Sequence, residues 1–528
     1  MNFKKFQLHY LSIINLYVFY IITIFNYPII FELNKFFNLS SGHSEIFEYF
    51  FYILVILTLF GLLFIFILLF GVRYLLKPVI IFLLLCSSTI FYYKDTYGVA
   101  VDEGIILSLW DAIIEGNAHE IFDLISIKLL LLVLIFGIFP SILLFFTTIN
   151  YPSFKKEIIT RFGLIVCTIL LIVALIASNY KNVSLTVRQN KQLNQSTIPH
   201  YSISSLFNII KHSFKPKLTF AELDEKPKIK EINEQIIGIV VVGETARADH
   251  FGINGYARQT TPLLQKTNII NYTNAYSCGT LTKISVPCMF YVRNYDEFDV
   301  NKAKYQANLI DIIDFAGVDV TWIENNSSCK NVCDRIQNKT IEIITPDENT
   351  YDESMFKWID TILKNNHNSR TLIVLHTMGS HGPSYYKRYP KEFDQFKPNC
   401  KSNNPQECSR DELINAYDNT ILYTDYFLHQ LIERLKKQNK KSFLLYASDH
   451  GESLGESGLY LHGAPRKIAP KEQIHIPWIL WFSEQYEKEK LQLVDRTTKI
   501  THEYFPHTIL DALKIESKYF KKQKSLIK

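Results

Sequence analysis

Two short motifs carry the residue types that hold a divalent cation. Ser448-Asp449-His450-Gly451-Glu452-Ser453 directly follows the apolar run Phe443-Leu444-Leu445-Tyr446-Ala447, and Glu244-Thr245-Ala246-Arg247 directly follows Ile236-Ile237-Gly238-Ile239-Val240-Val241-Val242-Gly243. Each run reads as a buried strand, and open α/β sheets keep their ligand-binding groups at the carboxyl ends of strands. Two acids and a histidine from strand ends far apart in sequence predict a zinc-type centre with one ligand position open. Either motif alone fits a surface acid or a helix cap; the two together on strong strand signals favour the metal.

A hydroxyl-rich loop, Ser277-Cys278-Gly279-Thr280-Leu281-Thr282-Lys283-Ile284-Ser285-Val286-Pro287-Cys288, offers a nucleophile. A bare threonine is a poor one, because its proton is hardly acidic; coordination to zinc lowers the pKa of a bound oxygen and orients its lone pair. A Thr280 oxygen beside Glu244, Asp449 and His450 would make a tetrahedral set. Ser277, Thr282 and Ser285 are further candidates in the same loop.

The elements that must position these groups alternate. Strands are expected at Ile236–Gly243, Val318–Ile323, Thr371–His376, Ser442–Ser448 and Ile476–Phe482, with helices at Ala303–Ala316, Glu353–Asn365 and Asp411–Lys437. That alternation predicts a mostly parallel sheet sandwiched by helices, forming a C-terminal α/β domain over residues 236–528.

The N-terminal half is different. The chain of 528 residues is 48% hydrophobic and 20% charged, an average that conceals two unlike parts. Apolar runs of spanning length recur near 9–31, 50–72, 76–93, 128–149 and 160–179, which predicts a transmembrane domain of five helices over residues 1–179. Lys4, Lys5, Arg73, Lys77, Lys155, Lys156 and Arg161 fall in one set of flanks, while the alternate loops carry acids such as Glu32, Asp95 and Asp102. The positive-inside rule then puts everything after Asn179 outside the cytoplasm. Residues 180–235 form a polar connector, read either as flexible or as partly amphipathic with Tyr201, Leu206, Phe207 and Ile210 facing lipid. The net charge of +5 is too small for the chain's size to argue for nucleic acid.

Cysteines agree with export. Cys86 and Cys167 fall in spans and read as packing residues; the other six of the eight form close pairs, Cys278 with Cys288, Cys329 with Cys333 and Cys400 with Cys408. Even, local pairing in an exported domain predicts disulfides rather than a zinc knuckle, since no CxxC spacing occurs.

Glu244-Thr245-Ala246-Arg247, Ser277-Cys278-Gly279-Thr280, His376-Thr377-Met378-Gly379-Ser380-His381-Gly382-Pro383, Ser448 to Ser453 and Tyr460-Leu461-His462-Gly463 occur in that order. The ordered set resembles the phosphoethanolamine transferases of Gram-negative inner membranes, which include the mobile colistin-resistance enzymes and carry an alkaline phosphatase/sulfatase-like domain. The resemblance extends over nearly the whole chain. It implies zinc on Glu244, Thr280, Asp449 and His450, with Thr280 as the residue that becomes modified. It also implies that His381 and His462 meet the transferred phosphate or a second zinc, and that Asn326 and Lys330 bind the phosphoethanolamine group. The activity it implies is transfer from phosphatidylethanolamine to a lipid A phosphate, by a monomer in the inner membrane with its catalytic domain in the periplasm. Capping that phosphate would weaken binding of cationic peptides such as polymyxin.

One loop departs from the family pattern. Ser108 stands where an asparagine that helps bind donor lipid is expected, and Glu115 lies near the expected glutamate, so those roles are not carried over. A glycerophosphate transferase of the lipoteichoic acid type, and phosphoethanolamine transfer to a core sugar or to a periplasmic or flagellar protein, are alternative readings. A sulfatase would need a C-x-P-x-R pattern, and none occurs near Thr280. A non-catalytic lipid-binding protein would not require a nucleophile beside two acids and a histidine.

Overall fold

The computed structural model describes residues 7–39, 45–114, 124–178, 191–213, 219–223, 226–230, 234–326, 328–336, 340–342, 351–366, 370–402, 405–487 and 491–528. Glu115 lies outside the described residues. Contacts divide the chain into two compact units, Met1–Leu107 with Ile125–Lys215, and Ser108–Leu124 with Pro216–Lys528.

The first unit is helical. Tyr49–Phe70, Leu76–Tyr97, Ile127–Phe146 and Phe154–Ala177 are each long and apolar enough to cross a membrane. Tyr10–Phe25 and Tyr27–Asn34 make a fifth span if counted together, bent by 51°. Pro28 just after the bend lacks the N–H that would continue the first helix. Buried Asn26, at the break, exchanges two hydrogen bonds with the Ile198 backbone (2.6 and 2.8 Å). The last span turns apolar side chains such as Phe162 and Leu170 outward, as a lipid-facing helix does. Cys167 is exposed there rather than packed, contrary to the sequence expectation; Cys86 is half-buried. On the helix His200–Ser213, Leu206, Phe207 and Ile210 are exposed and Tyr201 is half-buried.

The second unit is built on an eight-stranded sheet. Its strands are β1 (Ile236–Gly243), β2 (Ile270–Tyr276), β3 (Asp319–Glu324), β4 (Thr340–Glu342), β5 (Arg370–His376), β6 (Lys441–Ser448), β7 (His475–Phe482) and β8 (Ile500–Thr501). Their spatial order is β8-β2-β7-β6-β1-β5-β3-β4. Pairing is parallel except where β7 meets β2 and β6.

Central strand β1 shows why the sheet needs helices on both sides. Ile236, Val240 and Val242 join one apolar core, with the helices Leu309–Phe315 and Tyr504–Ala512. Ile237, Ile239 and Val241 join the other, with Phe356–Lys364 and Arg410–Lys436. A fully apolar strand buried on both faces is the expected consequence.

One helix start and three strands, β2, β4 and β8, differ most from the sequence reading. The helix expected from Ala303 starts at Leu309, because Asn308 and Asp311 form a capping box there. Strand β2 was not expected at all: Ile270-Asn271-Tyr272-Thr273-Asn274-Ala275-Tyr276 is too polar to show a strand signal.

Candidate active site

Register places the acids. β1 and β6 are parallel neighbours with Gly243 opposite Ser448, so the next residue on each strand, Glu244 and Asp449, leaves the sheet at the same level. Thr245 then turns with φ 52°, a region costly for a β-branched residue. Its N–H donates to Asp449 Oδ1 (3.3 Å), as does that of His450 (2.6 Å). Gly379 closes over this corner; a Cβ there would lie 2.8 Å from the Glu244 carbonyl oxygen.

Glu244, Asp449 and His450 are fully buried and present ligand atoms within 4.8 Å of one another. His450 Nδ1 donates to the Gly451 carbonyl (3.0 Å), which leaves the Nε2 lone pair 3.5 Å from Glu244 Oε1 and 3.3 Å from Asp449 Oδ2. Asp449 Oδ2 is buried and has no hydrogen-bond donor. A lone pair facing two carboxylate oxygens is repulsive until a cation lies between them, so this donor set fits a divalent metal with nitrogen and oxygen preference. Burial pushes the Asp449 carboxyl up and the His450 imidazole down, the directions expected of groups withdrawn from water.

The hydroxyl at this centre belongs to Thr282. Its Oγ1 lies 3.3 and 3.2 Å from the Glu244 carboxylate oxygens and 3.4 Å from His450 Nε2. Thr280, preferred from the sequence, donates instead to the Ala464 carbonyl (2.6 Å). The reason is local: Thr282 is the first residue of the helix Thr282–Met289, whose N-terminus meets Glu244, while Thr280 precedes that turn and its hydroxyl is already satisfied. A helix N-terminus also favours an arriving phosphate.

Around this centre, Asn326 donates from Nδ2 to Glu244 Oε2 and to the Thr377 carbonyl, both at 2.9 Å, so it orients the acid directly. The His462 ring lies 4.4 Å from that of His450 and 5.6 Å from that of His381. Burial, then the charges of Arg388, His462 and Lys330, hold the His381 pKa well below its ordinary value. Lys330 sits at φ 50° on a loop stapled by the Cys329–Cys333 disulfide. The pairs Cys278–Cys288 and Cys400–Cys408 are bonded as well. His376 is buried with Nδ1 2.8 Å from Glu324 Oε1.

Three further residues went unread in the sequence. Glu452, two positions after His450, lies 3.3 Å from His462 Nδ1 and could have been found from its place in the motif. Asp352 accepts from Asn325 Nδ2 and the Met378 and Gly379 N–H groups, and nothing in its sequence context signals this. Gln473, fully buried, bonds Ala464, Ser453 and Leu461 and so holds the loop that carries His462.

Residues 59–214 match the family described as phosphoethanolamine transferase EptA/EptB, and residues 237–515 match the sulfatase family. The chain is 35% identical to phosphatidylethanolamine transferase Mcr-1 of Escherichia coli, over 86% of this chain and 87% of that one. It is 34% identical to phosphoethanolamine transferase EptA of Escherichia coli K12, over 84% of each. The solved integral membrane lipooligosaccharide phosphoethanolamine transferase A of Neisseria meningitidis superposes with a TM-score of 0.89 at 30% identity, covering 99% of both chains. A helical membrane unit and a sulfatase-like unit with this buried centre are therefore parts of one enzyme, and the chain belongs to the phosphoethanolamine transferase family.

Proposed function

We propose that this enzyme moves phosphoethanolamine from phosphatidylethanolamine to a lipid A phosphate through a covalent Thr282 intermediate. The observation that carries this reading is the Thr282 hydroxyl on Glu244 and His450 at a helix N-terminus. Thr282 Oγ1 attacks the donor phosphorus, the bond to the glycerol oxygen breaks, and diacylglycerol leaves. An acceptor phosphate oxygen then attacks the same phosphorus and frees Thr282. The Thr282 proton is held toward the Glu244 carboxylate. His462, with Nδ1–H on Glu452, carries a second proton on Nε2 as the imidazolium; in that form it protonates the leaving glycerol oxygen, and the neutral ring then regains its proton from solvent.

Glu244, Asp449 and His450 would hold zinc, with the Thr282 oxygen as the fourth ligand. Bound there, the metal would acidify the hydroxyl and neutralise phosphoryl charge. Lys330 and Asn326 line the phosphoethanolamine side. The catalytic unit works in the periplasm, anchored in the inner membrane of a Gram-negative cell. Several relatives are named for lipid A or for Mcr-type transfer, which supports the acceptor and a role in polymyxin resistance.

Purified protein given fluorescent phosphatidylethanolamine is expected to release diacylglycerol and to gain a phosphoethanolamine-sized adduct on Thr282. Thr282→Ala should do neither, while Thr280→Ala should do both. Release from phosphatidylglycerol instead would favour the lipoteichoic acid type of reaction.

A further inference from the structure

His502, just beyond β8 and outside every motif, is fully buried and touches two parts of the site at once. Its Nδ1 accepts the Cys278 N–H (3.3 Å), and its Nε2 lies 3.0 Å from the Ser448 carbonyl. A carbonyl only accepts, so Nε2 carries the proton and Nδ1 is left as an acceptor; one neutral tautomer satisfies both contacts. Burial, with a smaller contribution from Arg466, lowers the imidazole to about 3 and keeps the ring neutral.

Both partners lead to the centre. Cys278 begins the hydroxyl loop, and its disulfide to Cys288 closes that loop onto the helix whose first residue is Thr282. Ser448 immediately precedes Asp449, and its Oγ donates to the His450 carbonyl while accepting the Ala246 N–H (both 2.8 Å). We propose that His502 is a positioning residue that sets the spacing between the Thr282 loop and the Asp449–His450 strand end through this pair of hydrogen bonds. A ring filling space in the core would need neither bond. The proposal rests on the donor reaction above only for its kinetic readout.

Three variants of the full-length protein in nanodiscs separate the two contacts. His502→Asn keeps an acceptor near the Nδ1 position, His502→Gln keeps a donor near the Nε2 position, and His502→Phe keeps a ring with neither. Amide exchange across residues 277–288 needs no substrate, and phosphatidylethanolamine turnover gives kcat and KM. In His502→Phe and His502→Gln, exchange should speed up about tenfold, and kcat should fall about 30-fold with KM within about threefold of wild type. His502→Asn, which keeps the Cys278 acceptor but loses the Ser448 donor, should hold exchange within about threefold of wild type, while its kcat falls as in the other two. Wild-type exchange in His502→Phe, wild-type kcat in either His502→Asn or His502→Gln, or a change in KM alone would overturn the proposal. If His502→Phe does not fold, the Asn and Gln variants carry the same contrast. A wild type that releases no diacylglycerol would refute the donor reading, while the exchange comparison still decides His502.

Discussion

The two sides of the active site are held by different means. Glu244, Asp449 and His450 sit at the ends of adjacent parallel strands, fully buried, where ladder register fixes their relative height. Thr282, Asn326, Lys330, His381 and His462 stand on the connections that follow. Their positions depend on disulfides, a helix start and side-chain bonds from Asn326, Asp352 and Gln473. A cation site gains from rigidity that the sheet supplies at no extra cost. A transfer site, which admits a donor and releases two products in turn, is better placed on loops pinned at a few points.

Removing one of the proposed metal ligands at the strand ends should therefore do the most damage. Asp449→Ala or His450→Ala is expected to lower turnover on the order of 10³-fold or more and to strip zinc at the same time, checked by metal analysis of the purified protein. On the loop side, Thr282→Ala should match that loss in turnover yet keep its zinc. Thr280→Ala removes only the bond to the Ala464 carbonyl, worth about 1 kcal/mol of stability, and should keep turnover within about tenfold of wild type. A Thr280→Ala protein as dead as Thr282→Ala would return the nucleophile to Thr280.

Legibility follows the same division. Apolar runs of eight residues (Ile236–Gly243) and five (Phe443–Ala447) announce β1 and β6, and an acid or Asp-His pair at the end of each is visible because strand ends are where such folds keep ligands. Which hydroxyl of the Ser277–Cys288 loop meets those ligands depends on where the helix begins. Leu281 as its N-cap offers no side-chain signal of that start. Little in the sequence marks β2, whose alternation breaks at Asn274, or Asp352, whose bonds run to Met378 and Gly379. Long-range hydrogen bonds leave no local pattern, so the groups that orient the loops are the ones a linear reading loses. Glu452 is the exception, since it lies in the same motif as His450.

Cutting a staple is the milder way to disturb the loop side. Cys278→Ala with Cys288→Ala opens a closure of sequence separation 10 and should cost about 2–3 kcal/mol in denaturant unfolding. Turnover should fall further than zinc content, because the loop is loosened while the strand-end ligands stay in register. Equal losses of both would mean that the loop also supports the metal.

The smallest expected effect separates the scaffold from both sides of the site. His507, on the helix Tyr504–Ala512, is buried, and burial together with the charges of Lys521 and Lys524 lowers its imidazole to about 4. Its Nδ1 accepts the Lys521 N–H (3.3 Å), which requires that nitrogen to be unprotonated. In the unfolded chain the same ring titrates near 6.5. The unfolded state therefore binds the proton first as pH falls. His507's contribution is fully present above about pH 6.5 and is lost progressively toward pH 4, a change on the order of 3 kcal/mol. With zinc in excess, thermal unfolding of wild type should show this acid-side loss, and His507→Asn should flatten it while leaving turnover at neutral pH unchanged. An equally steep loss in the variant would move the acid sensitivity away from the scaffold and onto the buried centre.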